Sequence, residues 1–346
     1  MTVPPDLRSE VLVGCLSGLA IGDSLLLSFE KCTRRSLVRF KDRPLEQGLC
    51  CRRGMLSDDT EHAVFVLQAW IRSEGDLGRF QRSLAWRLRW WLLCLPAGIG
   101  KATLRSIVRL WLGWSPECSG VSSGGNGTLM RAPVLGVLIT RDRAERWRWV
   151  DASSRLTHRD AAPRIAARAV AEVTAWLARR EESPCPWTEL AACGPDDHRW
   201  IDLLDLVRAK LDAGAGVQDL ADAFGFSDGV PGYSYFTIGL ALFAFLQHRS
   251  DPASGMRALR DTGGDTDTVG AIAGSFWGCE QGRSAFPASW WNRLADWPMS
   301  RRYLDSLARA AAGKGSLPTW VWPLYPLRAA AFLAIIISHG FLRLVR

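Results

Sequence analysis

The side chains best suited to bind a metal or to take part in catalysis are two carboxylates and two hydroxyls that follow a pair of glycines at positions 263 and 264. They are Asp265, Thr266, Asp267 and Thr268, and an apolar helical run begins directly after them. One such side chain is enough to cap a helix, so four exceed what capping requires, although capping alone remains the alternative. The glycines allow a sharp bend, which would let both carboxylates face one point. Carboxylate and hydroxyl oxygens suit Mg²⁺ or Mn²⁺.

A second acidic helix start lies far earlier in the chain, at Ser57, Asp58, Asp59, Thr60 and Glu61. Taken alone, an aspartate followed three residues later by a glutamate resembles a capping box. Adjacent carboxylates repel each other unless a cation or a proton compensates them. If the fold brings the two acidic starts together, they form an oxygen-only site for one or two divalent cations. The sequence alone does not establish that they meet.

A glycine-rich segment, residues 119–131, is the candidate phosphate-binding loop. It contains Gly124, Gly125, Asn126 and Gly127 just before a helix start. Consecutive glycines free backbone N–H groups to point at one anion, and the following helix adds its positive end. Such loops are often simple turns, so this motif is weak on its own.

Three motifs together resemble those of the ADP-ribosylglycohydrolase family in order and spacing. They read SDDTE at 57–61, GGNGTLMRAP at 124–133 and TGGDTDTVGAIAG at 262–274, and GLAIGDSLLLSFE at 18–30 also fits. The resemblance extends from about residue 7 to residue 282. It implies an all-α fold, a compact orthogonal multi-helix domain with a dinuclear metal cleft. It also implies a hydrolase that removes ADP-ribose from modified side chains with two Mg²⁺ or Mn²⁺ ions.

The resemblance assigns the metal ligands to positions in the two acidic helix starts. The family usually has threonine where this chain has Ser57; serine keeps the hydroxyl, so we expect cation binding to survive in a weaker form. The predicted ligands are Ser57, Asp58, Asp59, Asp265, Asp267 and Thr268.

The resemblance also assigns residues to the substrate and to the reaction. His158 would lie beside the ligand, although a capping or core histidine is an equal alternative. Tyr233 or Tyr235 would stack on adenine, with packing under a loop as the alternative. Asp59 and Glu30 would be the catalytic carboxylates, although Glu30 could equally be a solvated residue at a helix end. The predicted substrate-binding residues are Gly124, Gly125, Asn126, Gly127, His158 and Tyr233.

Several elements must position these groups. Residues 7–27 are predicted to form a helix with a stripe of small residues, Gly14, Gly18 and Gly22, which permits close helix packing. The basic, irregular residues 31–54 then precede the first acidic helix and could cover a cleft. Further helices are predicted at 83–95, 102–112, 161–179 and 237–247.

Composition limits the partners and the compartment. The net charge is +8 and is carried mostly by arginine, which favours phosphate-bearing ligands. The arginine- and tryptophan-rich residues 141–149 could bind nucleic acid, but interrupting acidic residues favour a solvated helix face, so nucleic acid is not the expected partner. Nine cysteines without a C-x-x-C motif indicate a reducing cytoplasm, and the first residues do not resemble a signal peptide.

The carboxyl end, residues 316–346, is predicted to be a hydrophobic tail following a family-like domain at 1–315. Its uncharged run, residues 329–342, has 14 residues, whereas a spanning helix needs about 20. The preceding Trp320, Trp322 and Tyr325 resemble an interfacial aromatic belt. Packing on the domain or on a partner chain is the first interpretation, and membrane association is the second.

The motifs together predict hydrolysis of the glycosidic bond between ADP-ribose and an acceptor, in a modified protein or a small conjugate. The acceptor, whether arginine, serine or another group, stays open, as does the oligomeric state. The alternative is a family member that binds ADP-ribose without cleaving it. Both acidic motifs are complete, which favours an active enzyme, because a protein that only binds ADP-ribose would not need every metal-ligating residue.

Overall fold

The structure, a computed structural model, describes residues 5–49, 52–180 and 183–345. The described residues form seventeen α-helices, with isolated bridges in place of any β-sheet, which confirms the all-α prediction. The helices are α1 (Pro5–Leu26), α2 (Arg34–Leu37), α3 (Asp58–Ser73), α4 (Leu77–Leu93), α5 (Lys101–Trp111), α6 (Ala132–Leu138), α7 (Arg143–Arg155), α8 (Ala161–Arg179), α9 (Trp187–Ala192), α10 (His198–Asp212), α11 (Val217–Ala223), α12 (Ser234–Gln247), α13 (Pro252–Thr262), α14 (Thr266–Gln281), α15 (Ala288–Asn292), α16 (Arg301–Ala311) and α17 (Leu324–Val345).

The central helix pair is α1 with α14, which pack through glycines on both sides. A Cβ atom added to Gly18 would lie 2.1 Å from the carbonyl oxygen of Gly274, so only glycine allows this separation. The pairing is antiparallel, because the residue numbers of the contacting glycines increase along α1 as they decrease along α14. The carboxyl end of α1 therefore lies beside the amino end of α14, where the second acidic motif is. The paired glycines are Gly14 with Gly278, Gly18 with Gly274 and Gly22 with Gly270.

The remaining helices pack around this pair. α3 contacts α1, α4 and α16, while α8 contacts α6, α12 and α14. Apolar residues of these helices form one large continuous core. One buried ion pair lies between α7 and α8: the Arg146 guanidinium lies 2.6 Å from a Glu172 carboxylate oxygen, and the Trp147 indole N–H also donates to Glu172. The segment 141–149 is therefore partly interior, with Arg146 and Trp149 buried.

The hydrophobic tail packs on the first turn of α3 through one arginine. Arg328, at the start of α17, is buried and lies 2.6 Å from carboxylate oxygens of both Glu61 and Asp296, and it also donates to the carbonyl of Leu56. Its guanidinium lies 4.5 Å from the centre of the Phe332 ring. The tail is thus attached to the same helix that begins with the first acidic motif.

Two helices are long and apolar enough to cross a membrane by length and composition. The first, residues 7–29, is 94% buried inside the protein and is a core helix. The second, Leu324–Phe341 within α17, is only 22% buried. Its exposure distinguishes the tail from every other long apolar segment of the described chain.

Candidate active site

The first acidic motif is fixed by a buried carboxylate on α1. Ser57 is the N-cap of α3, and Asp23 accepts hydrogen bonds from the backbone N–H groups of Ser57 (3.0 Å) and Thr60 (3.2 Å) and from the Thr60 hydroxyl (2.5 Å). Burial raises the pKa of Asp23 to about 6, although these hydrogen bonds oppose the shift. Asp23 was not among the site residues predicted from the sequence. The feature that could have pointed to it is the Gly-Asp pair at the end of a predicted helix.

The second acidic motif is fixed by a turn that requires glycine. Gly263 and Gly264 have φ angles of +69° and +84°, and a Cβ atom on Gly264 would lie 2.1 Å from the carbonyl oxygen of Val230. The backbone N–H of Asp265 donates to that same carbonyl at 2.9 Å, and the N–H of Lys31 donates to Gly264. This turn therefore places Asp265 and Asp267 beside the segment that carries Glu30.

The carboxylates of the two motifs meet. Oxygens of Glu30, Asp265 and Asp267 lie within 4.8 Å of one another, so these three could share a cation. Burial raises the pKa of Asp59, and the charges of Asp58, Asp23 and Asp265 raise it further. Burial also raises the pKa of Asp267, with Glu30 as the next cause. Mutual repulsion among buried carboxylates is relieved by a bound cation or by protonation.

Unpartnered oxygens test whether a cation fits here. Both carboxylate oxygens of Asp59 and one oxygen of Asp267 are buried without a hydrogen-bond donor. An unpaired buried carboxylate is strongly unfavourable, so these atoms suit a hard divalent cation. Of the six predicted ligands, Ser57, Asp58, Asp265, Asp267 and Thr268 line one cleft, and Asp59 is fully buried.

The glycine-rich loop borders the same cleft of about 800 Å³. The side-chain amide of Asn126 donates to Asp265 at 2.5 Å and to the Thr237 hydroxyl at 2.9 Å, which ties the loop to the acidic cluster. Gly125, Asn126 and Gly127 line the cleft, whereas Gly124 does not. The N–H groups of Gly125 and Asn126 bond to Ser123 and Gly232. These two donors are thus already used, contrary to the simple picture of free N–H groups facing an anion.

His158 lies against this loop and is held neutral. A Cβ atom on Gly127 would lie 3.2 Å from its Cε1 atom, and its Nδ1 lies 2.9 Å from the Thr157 hydroxyl. Burial, followed by the Arg131 charge, lowers the pKa of His158 to about 3. Its Nε2 is the ring nitrogen closer to Gly125, so a neutral imidazole faces the cleft at this point.

The two tyrosines that were predicted to stack on adenine do not line the cleft. Tyr233 packs over Gly124, where a Cβ atom would lie 2.6 Å from its ring, and Tyr235 donates its hydroxyl to Asp197. Neither tyrosine lines the cleft, but Phe226 does, and its ring packs against Phe236. Phe226 and Tyr233 are both partly buried, and the prediction that a tyrosine stacks on adenine stays a prediction. The turn-rich composition of 225–236 marked the region without marking the residue.

The tail helix contributes a wall that the sequence did not indicate. Phe332 and Ile336 of α17 line the cleft together with Leu27 and the α4–α5 loop. Phe332 belongs to a small apolar cluster with Leu27, Leu49 and Met55. The acidic side of the cleft therefore faces an apolar side that comes from the tail.

The chain is similar to known proteins over most of its length. The profile of a family described as ADP-ribosylglycohydrolase matches residues 4–319. A solved structure described as an ADP-ribosylglycohydrolase-related protein complex has a TM-score of 0.62 and 26% identity, and the alignment covers 89% of this chain and 99% of that one. An uncharacterized protein of Archaeoglobus fulgidus is 25% identical over 318 residues, which cover 86% of this chain and 95% of the relative.

Proposed function

The chain belongs to the ADP-ribosylglycohydrolase family, and on that premise we propose that its cleft hydrolyses the glycosidic bond between ADP-ribose and a modified acceptor. The observation that carries the proposal is that both acidic motifs line one cleft beside Glu30, with unpartnered buried oxygens on Asp59 and Asp267. Their position beside the Gly125–Gly127 side of the loop supports a ligand that carries both hydroxyls and phosphates.

Two Mg²⁺ or Mn²⁺ ions are the cofactors that these donors fit. Ser57, Asp58, Asp59, Asp265, Asp267 and Thr268 would hold them, with Glu30 close to the second acidic motif. When bound, such ions supply positive charge that orients ribose hydroxyls and water and polarises them. Without the ions, the charge repulsion that raises the pKa of Asp267 remains uncompensated.

The protein's own carboxylates would act on the reacting bond. The transition state at the anomeric carbon has oxocarbenium character, which nearby negative charge stabilises. Glu30 is partly exposed at the cleft and forms an ion pair with Lys31 at 2.8 Å, so it can reach a substrate and exchange a proton. His158, being neutral, would bind without adding charge.

The decisive experiment is release of ADP-ribose from defined peptides. Arginine-linked and serine-linked ADP-ribosyl peptides are offered to the purified protein with Mg²⁺, with Mn²⁺ and with EDTA. We expect release from one linkage and loss of release in EDTA. Binding of ADP-ribose in a calorimeter without release from either peptide would favour the non-catalytic alternative. The absence of both binding and release would overturn the proposal.

A matched variant pair tests the role of Glu30. Glu30→Gln keeps the size of the side chain and removes its charge and proton exchange, so we expect turnover to fall at least about a hundredfold while ADP-ribose affinity changes little. Asp202→Asn, on the exposed face of α10, is the control and should retain full turnover. Unchanged turnover in Glu30→Gln would remove this residue from the mechanism.

The state of the cysteines supports a proposal for the cellular compartment. The described cysteines, which include Cys15, Cys32 and Cys279, are free thiols. Free thiols support a reducing cytoplasm, where ADP-ribosylated proteins or small ADP-ribose conjugates would be the partners.

A further inference from the structure

Two segments outside the acidic cluster carry most of the exposed apolar surface of the protein. Seventeen large apolar side chains among the described residues are exposed, and fifteen of them lie within residues 86–114 or 321–341. They include Trp86, Trp90, Trp111 and Trp322. Single exposed apolar residues are ordinary, whereas such a concentration marks an interaction site. We call residues 86–114 and 321–341 together the aromatic surface.

The two segments are adjacent in space. The Trp111 ring lies 6.3 Å from the rings of both Trp86 and Trp90, which joins α5 to α4. A groove of about 700 Å³ is lined by Trp86 and Trp90 on one side and by Trp322 on the other. Ala97, in the α4–α5 loop, packs against the small apolar cluster that contains Phe332 of α17. The aromatic surface is therefore continuous from α5 through α4 to the tail.

The charge around this surface has a single sign. Residues 77–116 and 306–346 contain 12 of the 43 lysines and arginines of the chain and none of its 35 aspartates and glutamates. The remainder of the chain is net negative, although one of these twelve residues, Arg328, is buried in ion pairs with Glu61 and Asp296 and adds no charge to the surface. The Arg89 guanidinium lies 4.8 Å from the centre of the Trp86 ring, and that of Arg109 lies 4.8 Å from Trp114.

The tail helix lies along the protein and exposes an apolar stripe. Its inner face is buried through Tyr325, Arg328 and Phe332. On the outer face, Leu327 and Phe341 are exposed, together with Leu324 and Ile337 at helical spacing. Because Arg328 is fixed in its buried ion pairs, α17 is held parallel to the protein surface. A helix that lies along the protein with one apolar stripe exposed can enter the acyl boundary of a bilayer from the side.

We propose that the aromatic surface docks this protein onto an anionic lipid bilayer. Tryptophan rings favour the headgroup level, lysine and arginine attract anionic headgroups, and the stripe on α17 enters the acyl boundary. A second copy of the chain is a poorer occupant, because a symmetric contact would set the same positive charges against each other. A nucleic acid would leave the aliphatic stripe of α17 without a partner. The proposal does not depend on the hydrolytic activity.

Vesicle co-sedimentation of the full-length protein tests this. Vesicles of phosphatidylcholine alone are compared with vesicles that contain about one third phosphatidylserine, at low salt and at about 0.5 M NaCl. We expect at least about tenfold tighter binding to the anionic vesicles and a loss of that advantage at high salt. Absence of vesicle binding under every condition overturns the proposal.

Two double variants distinguish binding through the aromatic surface from non-specific hydrophobic binding to vesicles. Trp322→Ser with Leu327→Ser removes side chains that are 65% and 63% exposed, and we expect anionic vesicle binding to weaken at least about tenfold. Val38→Ser with Trp297→Ser, which changes side chains that are 68% and 41% exposed elsewhere, should bind as the original protein does. Equal binding by both double variants contradicts the proposal, as does a dimer in light scattering that binds no vesicle. Binding of a single-stranded oligonucleotide without vesicle binding overturns it too.

Discussion

At the scale of single residues, the site is defined by carboxylates that lack partners within the protein. Asp59 and Asp267 have buried oxygens without donors, while Asp23 and Asp265 accept hydrogen bonds that fix their orientation. Burial raises the pKa of each of these groups, so the charged cluster opposes folding in the absence of a cation. Function and stability therefore conflict at these positions.

Asp267→Asn tests that conflict. The substitution keeps the size of the side chain and removes a buried, repelled charge, so we expect the cation-free protein to gain about 1–2 kcal/mol of stability. Cation binding and turnover should both be lost. Thermal unfolding in EDTA and calorimetric titration with Mn²⁺ measure the two effects, with Asp202→Asn as control. A less stable cation-free variant with intact Mn²⁺ binding would contradict the assignment.

At the scale of elements, the acidic cluster depends on how two helix starts are brought together. The glycine contacts between α1 and α14 fix one start, and Asp23 at the end of α1 fixes the other by accepting from the first turn of α3. The helix prediction for residues 7–27 agrees with α1 (Pro5–Leu26), and its glycine stripe does form a close contact. The matching stripe on α14 was not recognised from the sequence, because Gly270 and Gly274 had been read as part of a motif.

Gly18→Ala measures how much the helix pair depends on close approach. Alanine favours an isolated helix over glycine by about 1 kcal/mol. Here its Cβ atom would lie 2.1 Å from a backbone oxygen that cannot move aside easily, so the clash dominates. We expect a net loss of about 3 kcal/mol or more in urea unfolding. Gly340→Ala in α17, where nothing lies within 4 Å, is the matched control and should be neutral or stabilising.

Arg328→Met tests the attachment of the tail. Removing one side of a buried ion pair leaves Glu61 and Asp296 without compensation, which costs about 3–5 kcal/mol. We expect α17 to detach, and therefore to exchange its amide hydrogens faster and to become sensitive to protease. Arg309→Met, on the exposed face of α16, should do neither. Unchanged protection of α17 would show that apolar contacts such as those of Phe332 hold the tail without the ion pairs.

At the scale of the whole molecule, the tail connects the cleft with the aromatic surface. Phe332 and Ile336 line the cleft on one side of α17, and Leu327 and Phe341 are exposed on the other. A protein docked through the aromatic surface would hold its cleft close to the bilayer. The predicted boundary at residue 315 stays a prediction, although the family profile ends near it, at residue 319.

The pH dependence of stability follows from the buried carboxylates. A carboxyl group whose native pKa is raised contributes stability when protonated, and this stability is lost as the pH rises through the raised pKa. In EDTA, the melting temperature should therefore rise as the pH falls from about 8 toward about 6, because the pKa of Asp23 is raised to about 6 and burial raises those of Asp59 and Asp267 well above their ordinary value. His158, whose native pKa is lowered to about 3, stays neutral in the folded protein, whereas an unfolded histidine is about half protonated at pH 6.5, so it opposes this rise near the lower end of the range. Below it, unfolded histidine takes up protons and stability falls again.

Saturating Mg²⁺ should reverse that slope, because cation binding requires ionised carboxylates and releases protons. Calorimetry in buffers with different ionisation heats measures the protons released. Asp267→Asn should weaken the slope in EDTA, since it removes one of the groups with a raised pKa. A melting temperature that falls steadily from pH 8 to pH 6.5 in EDTA would contradict the electrostatic account.

The sequence by itself determined the two acidic helix starts, because these depend on local capping chemistry and helical periodicity. The family was indicated by the resemblance of the motifs in order and spacing, and the fold class followed from that resemblance. Only the tertiary structure showed that Glu30 meets Asp265 and Asp267, since their distance depends on a glycine contact between helices more than 200 residues apart in the chain. It also decided that Phe226, and not Tyr233, faces the cleft, and that Arg328 attaches the tail to α3. A residue type limits what a side chain can bind, but the packing of distant helices decides which side chains share a cavity and which are buried.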